Sequence, residues 1–267
     1  MIKSIGELVQ NRRLLFSLIK REIALKYKGS FFGSAWALLL PIFMLIIYTF
    51  VFSSVFKAKW GVHADNAPKG EFALILFIGV IAYNFFSECI TRSPSIITGN
   101  PNYVKKVVFP LNILPCVYVF SALFNAFLTI SVWLVCYLFI IGMPHFSFLL
   151  FPIILLPLVI FSLGVSYLFS SAGAYFRDIN QVTGLLATAL MFLSPIFYPV
   201  SAVPEKFRVF MNINPLTPAV EMLREIMYWG KYPDWHLFGW NLATSVVFFM
   251  LSFIFFLRTK KGFADVL

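Results

Sequence analysis

Aromatic residues recur at helical spacing in several apolar segments, where they could bind a ligand by ring stacking. They comprise Tyr48 and Phe52, Tyr83 and Phe86, and a group of Phe192, Phe197 and Tyr198. Residues three or four positions apart share one face of a helix. Aromatic faces stack on the C–H faces of sugar rings without reading one hydroxyl pattern, so they suit a long carbohydrate chain that slides. The alternative is packing, which most of the 33 Phe must serve.

The sequence lacks the motifs of nucleotide hydrolysis and of zinc hydrolases. The single Gly230-Lys231 pair is followed by Tyr232 and has no upstream glycine, so it is not a phosphate-binding loop. No HExxH motif occurs, and three separate segments hold His63, His145 and His236. We therefore expect no catalytic residue, metal or cofactor in this chain, and no ATP hydrolysis by it.

No ionisable residue lies near the middle of an apolar segment; the only candidate, Glu88, is close to the predicted cytoplasmic end of its segment, and Arg92 follows it four residues later. This spacing predicts an ion pair on a helix surface. Ion-coupled transporters usually carry carboxylates, histidines or lysines within the membrane. The pattern therefore argues against secondary active transport, and free energy for any transport must come from another protein.

Composition excludes a water-soluble fold. Hydrophobic residues make up 60% of the 267 residues and charged residues 12%, whereas soluble domains carry roughly 25% charged residues. The mean hydropathy is +0.87. The three cysteines, at 89, 116 and 136, show no metal-type or redox spacing and are expected to pack as small apolar residues. The sequence predicts an integral membrane protein.

Six stretches are apolar and long enough to cross a bilayer core about 30 Å thick. They cover residues 31–56, 72–92, 110–141, 146–176, 179–199 and 237–257. The third and fourth form one uncharged run, which Gly142 and Pro144 are predicted to divide. We predict an all-α membrane protein with six transmembrane helices over 31–257, a cytoplasmic segment 1–30 and a cytoplasmic tail 258–267.

Positive charge predicts the orientation of these helices. The termini and the loops after the second and fourth spans carry twice as many basic residues as the opposite side, where acidic residues offset most of them. The positive-inside rule then places both termini in the cytoplasm. The net charge of +10 is explained by topology and anionic lipid, so nucleic-acid binding is not expected.

Three segments differ from simple spans. Residues Ile5–Lys28 carry apolar residues at helical spacing with basic residues off that stripe, which predicts an amphipathic helix on the membrane or against a partner. The loop Thr91–Pro110 contains Pro94 and Pro101, each able to begin a short helix that docks to another protein or merely connects spans. Segment 201–236 is unusually apolar, which predicts two short re-entrant helices bordering a pathway.

Motifs along nearly the whole chain, in the right order, resemble those of ABC-2 type exporter permeases for polysaccharides. They are Arg21-Glu22 through Lys26-Tyr27-Lys28 with Ser30, Gly33, Trp36 and Pro41, then Val104–Pro110, Tyr175–Ile179, Ser194–Pro199, and Asn214-Pro215 with Arg224. The resemblance implies a homodimer with two copies of a separate ATPase, which would bind ATP and Mg. It also implies a bacterial inner membrane location and export of an undecaprenyl-diphosphate-linked glycan, O antigen in the first place.

The resemblance also implies roles for particular residues. ATPase coupling falls on the amphipathic helix and on the loop residues Gly99, Asn100, Tyr103, Lys105 and Lys106. The outer gate falls on Phe207, Phe210, Asn214, Pro215 and Arg224. A cytoplasmic entrance near the diphosphate falls on Lys26, Lys28, Arg177 and Asp178, although Arg177 and Asp178 could instead pair with neighbouring helices. The aromatic residues named first would line the channel.

Other functions are compatible with the same topology. Capsular polysaccharide and teichoic acid are alternative cargoes, and a small lipid or drug is another. A membrane enzyme acting on polyprenyl-linked sugars would need polar residues gathered at one membrane face, where the predicted cytoplasmic loops supply only Asp178 and Glu88 as carboxylates.

Overall fold

A computed structural model describes residues 6–7, 10–56, 60, 70–105 and 109–266, with the backbone alone for Phe210 and Asn212. The described residues form helices and connecting turns, without a β-strand. The predicted all-α class is therefore confirmed. Ile5 and Lys106 lie outside the described residues.

Twelve α-helices lie within the described residues. They are α1 Arg12–Tyr27, α2 Trp36–Tyr48, α3 Glu71–Arg92, α4 Ser95–Thr98, α5 Pro101–Lys105, α6 Ile113–Ile140, α7 Phe151–Tyr175, α8 Ile179–Leu193, α9 Glu205–Ile213, α10 Leu216–Met227, α11 Trp235–Thr259 and α12 Phe263–Val266. A 3₁₀ turn, Gly33–Ala35, precedes α2, and a π-helix, Thr49–Val55, continues it. The 3₁₀ turns Phe146–Leu150, Val200–Ala202 and Lys260–Gly262 precede α7, α9 and α12.

Five helical stretches among the described residues are long and apolar enough to cross a membrane. They are Gly33–Val55, Glu71–Arg92, Ile113–Ile140, Phe146–Tyr175 and Trp235–Val266. The predicted fifth span, 179–199, is helical only to Leu193, which makes α8 a helix of 15 residues. Its length is about 22 Å, less than the thickness of a bilayer core. The helix therefore ends six residues before the predicted end of this span at 199.

The early end of α8 has a local cause. Ser194 has extended backbone angles, φ −100° and ψ 152°, and it precedes Pro195. A proline disfavours helical angles at the residue before it and cannot donate an amide hydrogen to the preceding turn. The chain therefore leaves the helix at Ser194, and the segment Ser194–Pro199 runs on as bends before α9.

Helix α3 lies at the centre of the fold, and most of its residues are buried. It packs against α6, α7, α8 and α10. The indole of Trp133 in α6, itself fully buried, donates a hydrogen bond to the Leu74 carbonyl at 2.9 Å. Because a tryptophan N–H buried without a partner is costly, this bond fixes α6 against the first turns of α3.

Helices α7 and α11 form the most extensive helix pair. Phe161 and Phe248 stack across it with ring centroids 4.5 Å apart. At the far end of this pair the buried Tyr167 donates to the Asn112 carbonyl at 2.7 Å and contacts the Cys116 thiol at 3.1 Å. Cys89 and Cys116 are buried free cysteines, as expected for packing residues.

A glycine permits close contact between α7 and the turn that begins α4. A Cβ atom built on Gly173 would lie 2.6 Å from the Cα of Pro94. We expect Gly173→Ala to lower the free energy of unfolding by about 1–3 kcal/mol, because the backbone must move to admit the methyl group. Thermal unfolding of the purified protein in detergent measures this change.

Gly239→Ala is the matched control, since an added Cβ in α11 would meet nothing within 4 Å. That variant should be as stable as the wild type or slightly more so, because alanine favours the helix. Equal melting temperatures for Gly173→Ala and the wild type would contradict the proposed close contact.

Candidate functional site

The rings predicted to line a channel meet where the first long helix ends beside the end of α8. The Phe52 ring stacks on Phe197 with centroids 6.1 Å apart, and it lies 6.3 Å from Tyr48. Phe197 in turn lies 6.4 Å from Phe192. These four residues, Tyr48, Phe52, Phe192 and Phe197, are called the aromatic cluster below. Phe192 is 60% exposed and the other three are half-buried, so the cluster presents ring surface to a ligand.

The π-helix explains how Phe52 reaches this position. Thr49–Val55 follows α2 directly, and its wider turns change the direction of side chains relative to an α-helix. At the junction between α2 and the π-helix, the Thr49 hydroxyl donates a hydrogen bond to the Leu45 carbonyl at 2.7 Å. Local helix geometry therefore contributes to bringing the Phe52 ring beside Phe197.

The other three predicted channel residues have different positions. Tyr83 donates a hydrogen bond to the Ala187 carbonyl at 3.1 Å, which joins α3 to α8. The Tyr198 hydroxyl donates to the Phe192 carbonyl at 2.7 Å, which holds Tyr198 next to the aromatic cluster. Phe86 is only 2% exposed and packs on Phe161 inside the subunit. The interpretation of Phe86 as a channel residue does not fit this burial, because its ring is enclosed by the core.

Further polar side chains, which no sequence motif marks, lie on exposed or half-buried faces of α3 and α8. On α3 they follow helical spacing from Tyr83, and on α8 they flank the face that packs on α3. They are Asn84, Ser87 and Thr91 on α3, and Asn180, Gln181 and Thr188 on α8. These six residues are called the polar track below. The other faces of α3 are buried and apolar. The polar residues interrupt that apolar pattern in the sequence, and this interruption is the signal from which the track could be predicted.

Arg224 joins three parts of the fold at the opposite end of α3. Its side chain is 2% exposed, yet it donates to the Ile75 carbonyl at 3.2 Å, to the Ile196 carbonyl at 2.8 Å and to the Pro195 carbonyl. It also forms an ion pair with Glu221 at 3.0 Å. Burial lowers the pKa of Arg224 to about 10, so the guanidinium stays charged at neutral pH. The charge is therefore buried, but the guanidinium donates to two carbonyls of the irregular segment after α8 and to one carbonyl of α3.

The surroundings of Arg224 are shaped to hold it. The guanidinium lies 4.4 Å from the ring centroid of Trp60, a cation–π distance. A Cβ on Gly79 would lie 3.0 Å from Arg224 Nη2, so the glycine makes room for the arginine beside α3. The Asn214 amide donates to the Ser194 hydroxyl at 2.8 Å and its oxygen accepts from the Leu216 amide at 3.0 Å. Together, Arg224 and Asn214 anchor the segment between α8 and α10.

The remaining predicted gate residues are less enclosed. Phe207 is 59% exposed and Pro215 is half-buried, while the side chain of Phe210 lies outside the described residues. Segment 201–236 contains two short helices, as the sequence predicted, and α9 and α10 are separated at Asn214 and Pro215.

A network of charged and polar groups joins α1 to α3 and α6 at the other end of the bundle. Glu88 accepts from Lys26 at 2.9 Å, from Arg92 at 3.2 Å and from Asn125 at 3.3 Å. Arg92 also pairs with Glu22 of α1. The predicted Glu88–Arg92 pair is therefore confirmed, but the sequence did not reveal that Glu88 is shared by three helices. This set of residues is called the Glu88 network.

The residues predicted to surround a diphosphate are not brought together as a set. Lys26 is engaged by Glu88, whereas Lys28 is exposed. Arg177 and Asp178 are exposed in the turn between α7 and α8, and neither forms an ion pair with another described residue. The alternative that Arg177 and Asp178 pair with neighbouring helices is thus not observed within the described part of the subunit.

The predicted coupling residues form a compact group around α4 and α5. Gly99 and Asn100 form the turn between the two helices, and the Asn100 side chain donates to the Ile96 carbonyl at 2.9 Å. Tyr103 stacks on Phe109 with centroids 4.4 Å apart and accepts from Arg21 of α1 at 2.9 Å. Lys105 is exposed. The amphipathic helix and this loop therefore touch each other and present one joint surface.

Removing the charge of Glu88 should weaken its network without changing its shape. We expect Glu88→Gln to lower the free energy of unfolding by about 0.5–1 kcal/mol, a modest value because the ion pairs are partly exposed to solvent. In a double-mutant cycle with Lys26→Met, the two changes should be non-additive. Thermal unfolding at low and high salt measures the effect, with Glu205→Gln, an exposed residue of α9, as the control. Strict additivity would show that Lys26 and Glu88 do not interact.

The fold and the comparisons with known proteins agree on the class. Several long apolar helices around a buried central helix define a multi-pass α-helical membrane protein. Residues 13–228 match the family described as ABC-2 type transporter. This match spans most of the chain, and the protein belongs to the ABC-2 type transporter family of membrane subunits.

Relatives within the family are named for polysaccharide transport. The chain is 28% identical over 267 residues to the O-antigen export system permease protein RfbA of Myxococcus xanthus, with 99% of each chain covered. It is 28% identical over 256 residues to RfbA of Klebsiella pneumoniae, with 95% of each chain covered. It is 26% identical over 219 residues to the polysialic acid transport protein KpsM of Escherichia coli, covering 80% of this chain and 81% of KpsM. The resemblance to polysaccharide exporter permeases is therefore confirmed.

Proposed function

We propose that this protein is the membrane subunit of an ATP-driven exporter that moves an undecaprenyl-diphosphate-linked O antigen from the cytoplasm to the periplasm. The single observation that supports O antigen as the cargo is the similarity of this chain, along its full length, to permeases named for O-antigen export. In this proposal α8, although short, completes a set of six membrane-crossing segments. Both termini and the Glu88 network lie on the cytoplasmic side of the inner membrane, and α9 and α10 lie on the outer side as re-entrant helices.

The site would act as a passive path between two copies of the chain. The polar track of α3 and α8 would replace water around sugar hydroxyls in the cytoplasmic half, because amides and hydroxyls both donate and accept hydrogen bonds. The aromatic cluster would contact the apolar faces of the sugar rings in the outer half. Neither surface matches a single sugar closely, which suits a polymer that must keep moving.

A separate ATPase, in two copies, would supply the free energy and would carry ATP and Mg. Its docking surface would comprise α1 and the α4–α5 loop, which already contact each other through Arg21 and Tyr103. The Glu88 network would transmit a displacement of that surface to α3 and α6, since Lys26 and Asn125 both bond to Glu88. Exposed Lys28 and Arg177 would attract the diphosphate at the entrance.

Capsular polysaccharide is the second candidate cargo, favoured by the similarity to KpsM. The two cargoes share the sugar-ring chemistry that the aromatic cluster would bind, so the geometry of this subunit does not separate them. A small lipid or drug, or an enzymatic reaction on polyprenyl-linked sugars, has no such supporting relative among those compared.

The deciding experiment is deletion of the gene followed by analysis of lipid-linked glycans. We expect a polyprenyl-diphosphate-linked polymer to accumulate on the cytoplasmic face and surface glycan to disappear, with both effects reversed by the wild-type gene. The composition of the accumulated polymer distinguishes O antigen from capsule. Normal surface glycan and no accumulated intermediate in the deletion strain would refute the proposed function.

A further inference from the structure

A cavity of about 740 Å³ lies between α7, α10 and α11, and no residue of the aromatic cluster or the polar track lines it. Its floor includes Pro157 and Phe161 of α7. Its wall includes Thr217 and Glu221 of α10, and from α11 Trp240, Asn241, Thr244 and Ser245. The volume falls within the range of small-ligand sites, about 300–1,000 Å³.

The polar groups on this wall have unused hydrogen-bonding capacity. The Thr217 hydroxyl has no hydrogen-bond partner among the described residues, but it is enclosed and does not face the open volume. The Asn241 amide donates to the Leu237 carbonyl at 2.7 Å, which leaves its side-chain oxygen available as an acceptor. The Thr244 hydroxyl donates to the Asn241 main-chain carbonyl at 3.0 Å, and its oxygen can still accept a hydrogen bond. Polar groups beside an open volume are usually paired with water or a ligand. This wall therefore favours a bound polar molecule.

The residues that line the cavity indicate which chemical class of molecule it would bind. Trp240 is 68% exposed and supplies a flat indole surface beside the amide of Asn241. No Lys or Arg occurs among the lining residues described, and Glu221 is already paired with Arg224, so the lining offers no free cation to bind a phosphate or another anion. An aromatic face next to amide and hydroxyl groups matches the two faces of a sugar ring, one with C–H groups and one with hydroxyls.

We propose that this cavity binds a pyranose ring of the exported glycan, stacked on Trp240 and hydrogen-bonded by Asn241 and Thr244. The inference rests on the proposed function and adds a second glycan-binding position, outside the path between two copies. Glu221 lines the cavity and pairs with Arg224, and Asn214 lines it and holds Ser194. An occupied cavity would therefore act directly on the residues that anchor the segment between α8 and α10.

The test uses the permease–ATPase complex in nanodiscs of phosphatidylethanolamine and phosphatidylglycerol. The probe is the glycan released by mild acid from the lipid that accumulates in a strain lacking this permease, tagged with a diazirine. We expect light to crosslink the probe to peptides of α10 and α11, and untagged glycan to compete. Labelling should fall about tenfold in Trp240→Ala and about fivefold in Asn241→Leu.

Trp235→Ala is the matched control, because Trp235 is 52% exposed on the same helix but does not line the cavity. Competition in the wild-type complex keeps the test decisive even where a variant is poorly folded. Labelling that is independent of Trp240 would overturn the inference. So would labelling by a diazirine phospholipid that the glycan does not displace, which would identify a lipid site. Absence of any accumulated glycan would refute the proposed function itself, a distinct outcome.

Discussion

Replacing Arg224 with methionine should destabilise this protein more than any other single change considered above. The substitution leaves the carbonyls of Ile75, Pro195 and Ile196 without their common donor in a buried position. Loss of one side of a buried charged network costs about 3–5 kcal/mol. We expect little Arg224→Met protein in the membrane and a markedly lower melting temperature in detergent.

Two further variants separate the role of the arginine from a general effect of charge. Arg224→Lys should also be destabilised, because one ammonium group cannot reach all the acceptors that the planar guanidinium reaches. Arg208→Met should be tolerated, since within the described part of the chain the Arg208 side chain donates to the Val203 and Ser201 carbonyls of its own segment and to no other residue. A stable Arg224→Met protein with wild-type melting behaviour would contradict the anchoring role.

Removing two rings of the aromatic cluster should nearly abolish glycan export while leaving the subunit folded. In Phe52→Ala/Phe197→Ala the two stacked rings, 6.1 Å apart, are lost together. If each ring contributes about 1 kcal/mol to stabilising sugar rings in transit, export should fall about tenfold or more. The rate at which new surface glycan appears, measured by pulse labelling, reports the effect.

The control for this experiment is Phe139→Ala. Phe139 is 87% exposed near the end of α6, and it takes part in no ring contact within the described residues. Its removal should leave export unchanged. Co-purification of the ATPase with the double variant shows whether the complex still assembles. Normal export by an assembled double variant would exclude the aromatic cluster from the path.

The sequence predicted the long helices well because their signal is local. Length, hydropathy and the break at Gly142 and Pro144 place the five long apolar helical stretches close to their predicted positions, whereas the predicted total of six spans is not confirmed. The end of α8 was missed, although the Ser194-Pro195 pair carries the signal, because hydropathy continues past it to Pro199. The depth of α3 inside the bundle was also hidden, since lipid-facing and core-facing apolar residues have similar compositions in a membrane protein.

The candidate site was predictable only in part. Four of the seven predicted aromatic residues meet as the aromatic cluster, because helical spacing and position along each span place them near one end. Phe86 shows the limit of this reasoning, as spacing defines a face but not whether that face is covered. The shared role of Glu88 depends on α1 and α6 arriving beside α3, which is a tertiary contact that no local pattern encodes.

The short α8 changes the electrostatic cost of moving a polar polymer. In the proposed arrangement this helix covers about 22 Å of a hydrocarbon layer about 30 Å thick, and the rest is made of irregular backbone held by Arg224 and Asn214. Carbonyl dipoles and a buried cation make this region more polar than lipid tails. In the proposed arrangement the low-dielectric layer beside α8 would therefore be thinner than the bilayer core, which would lower the solvation energy barrier to a hydroxyl-rich chain.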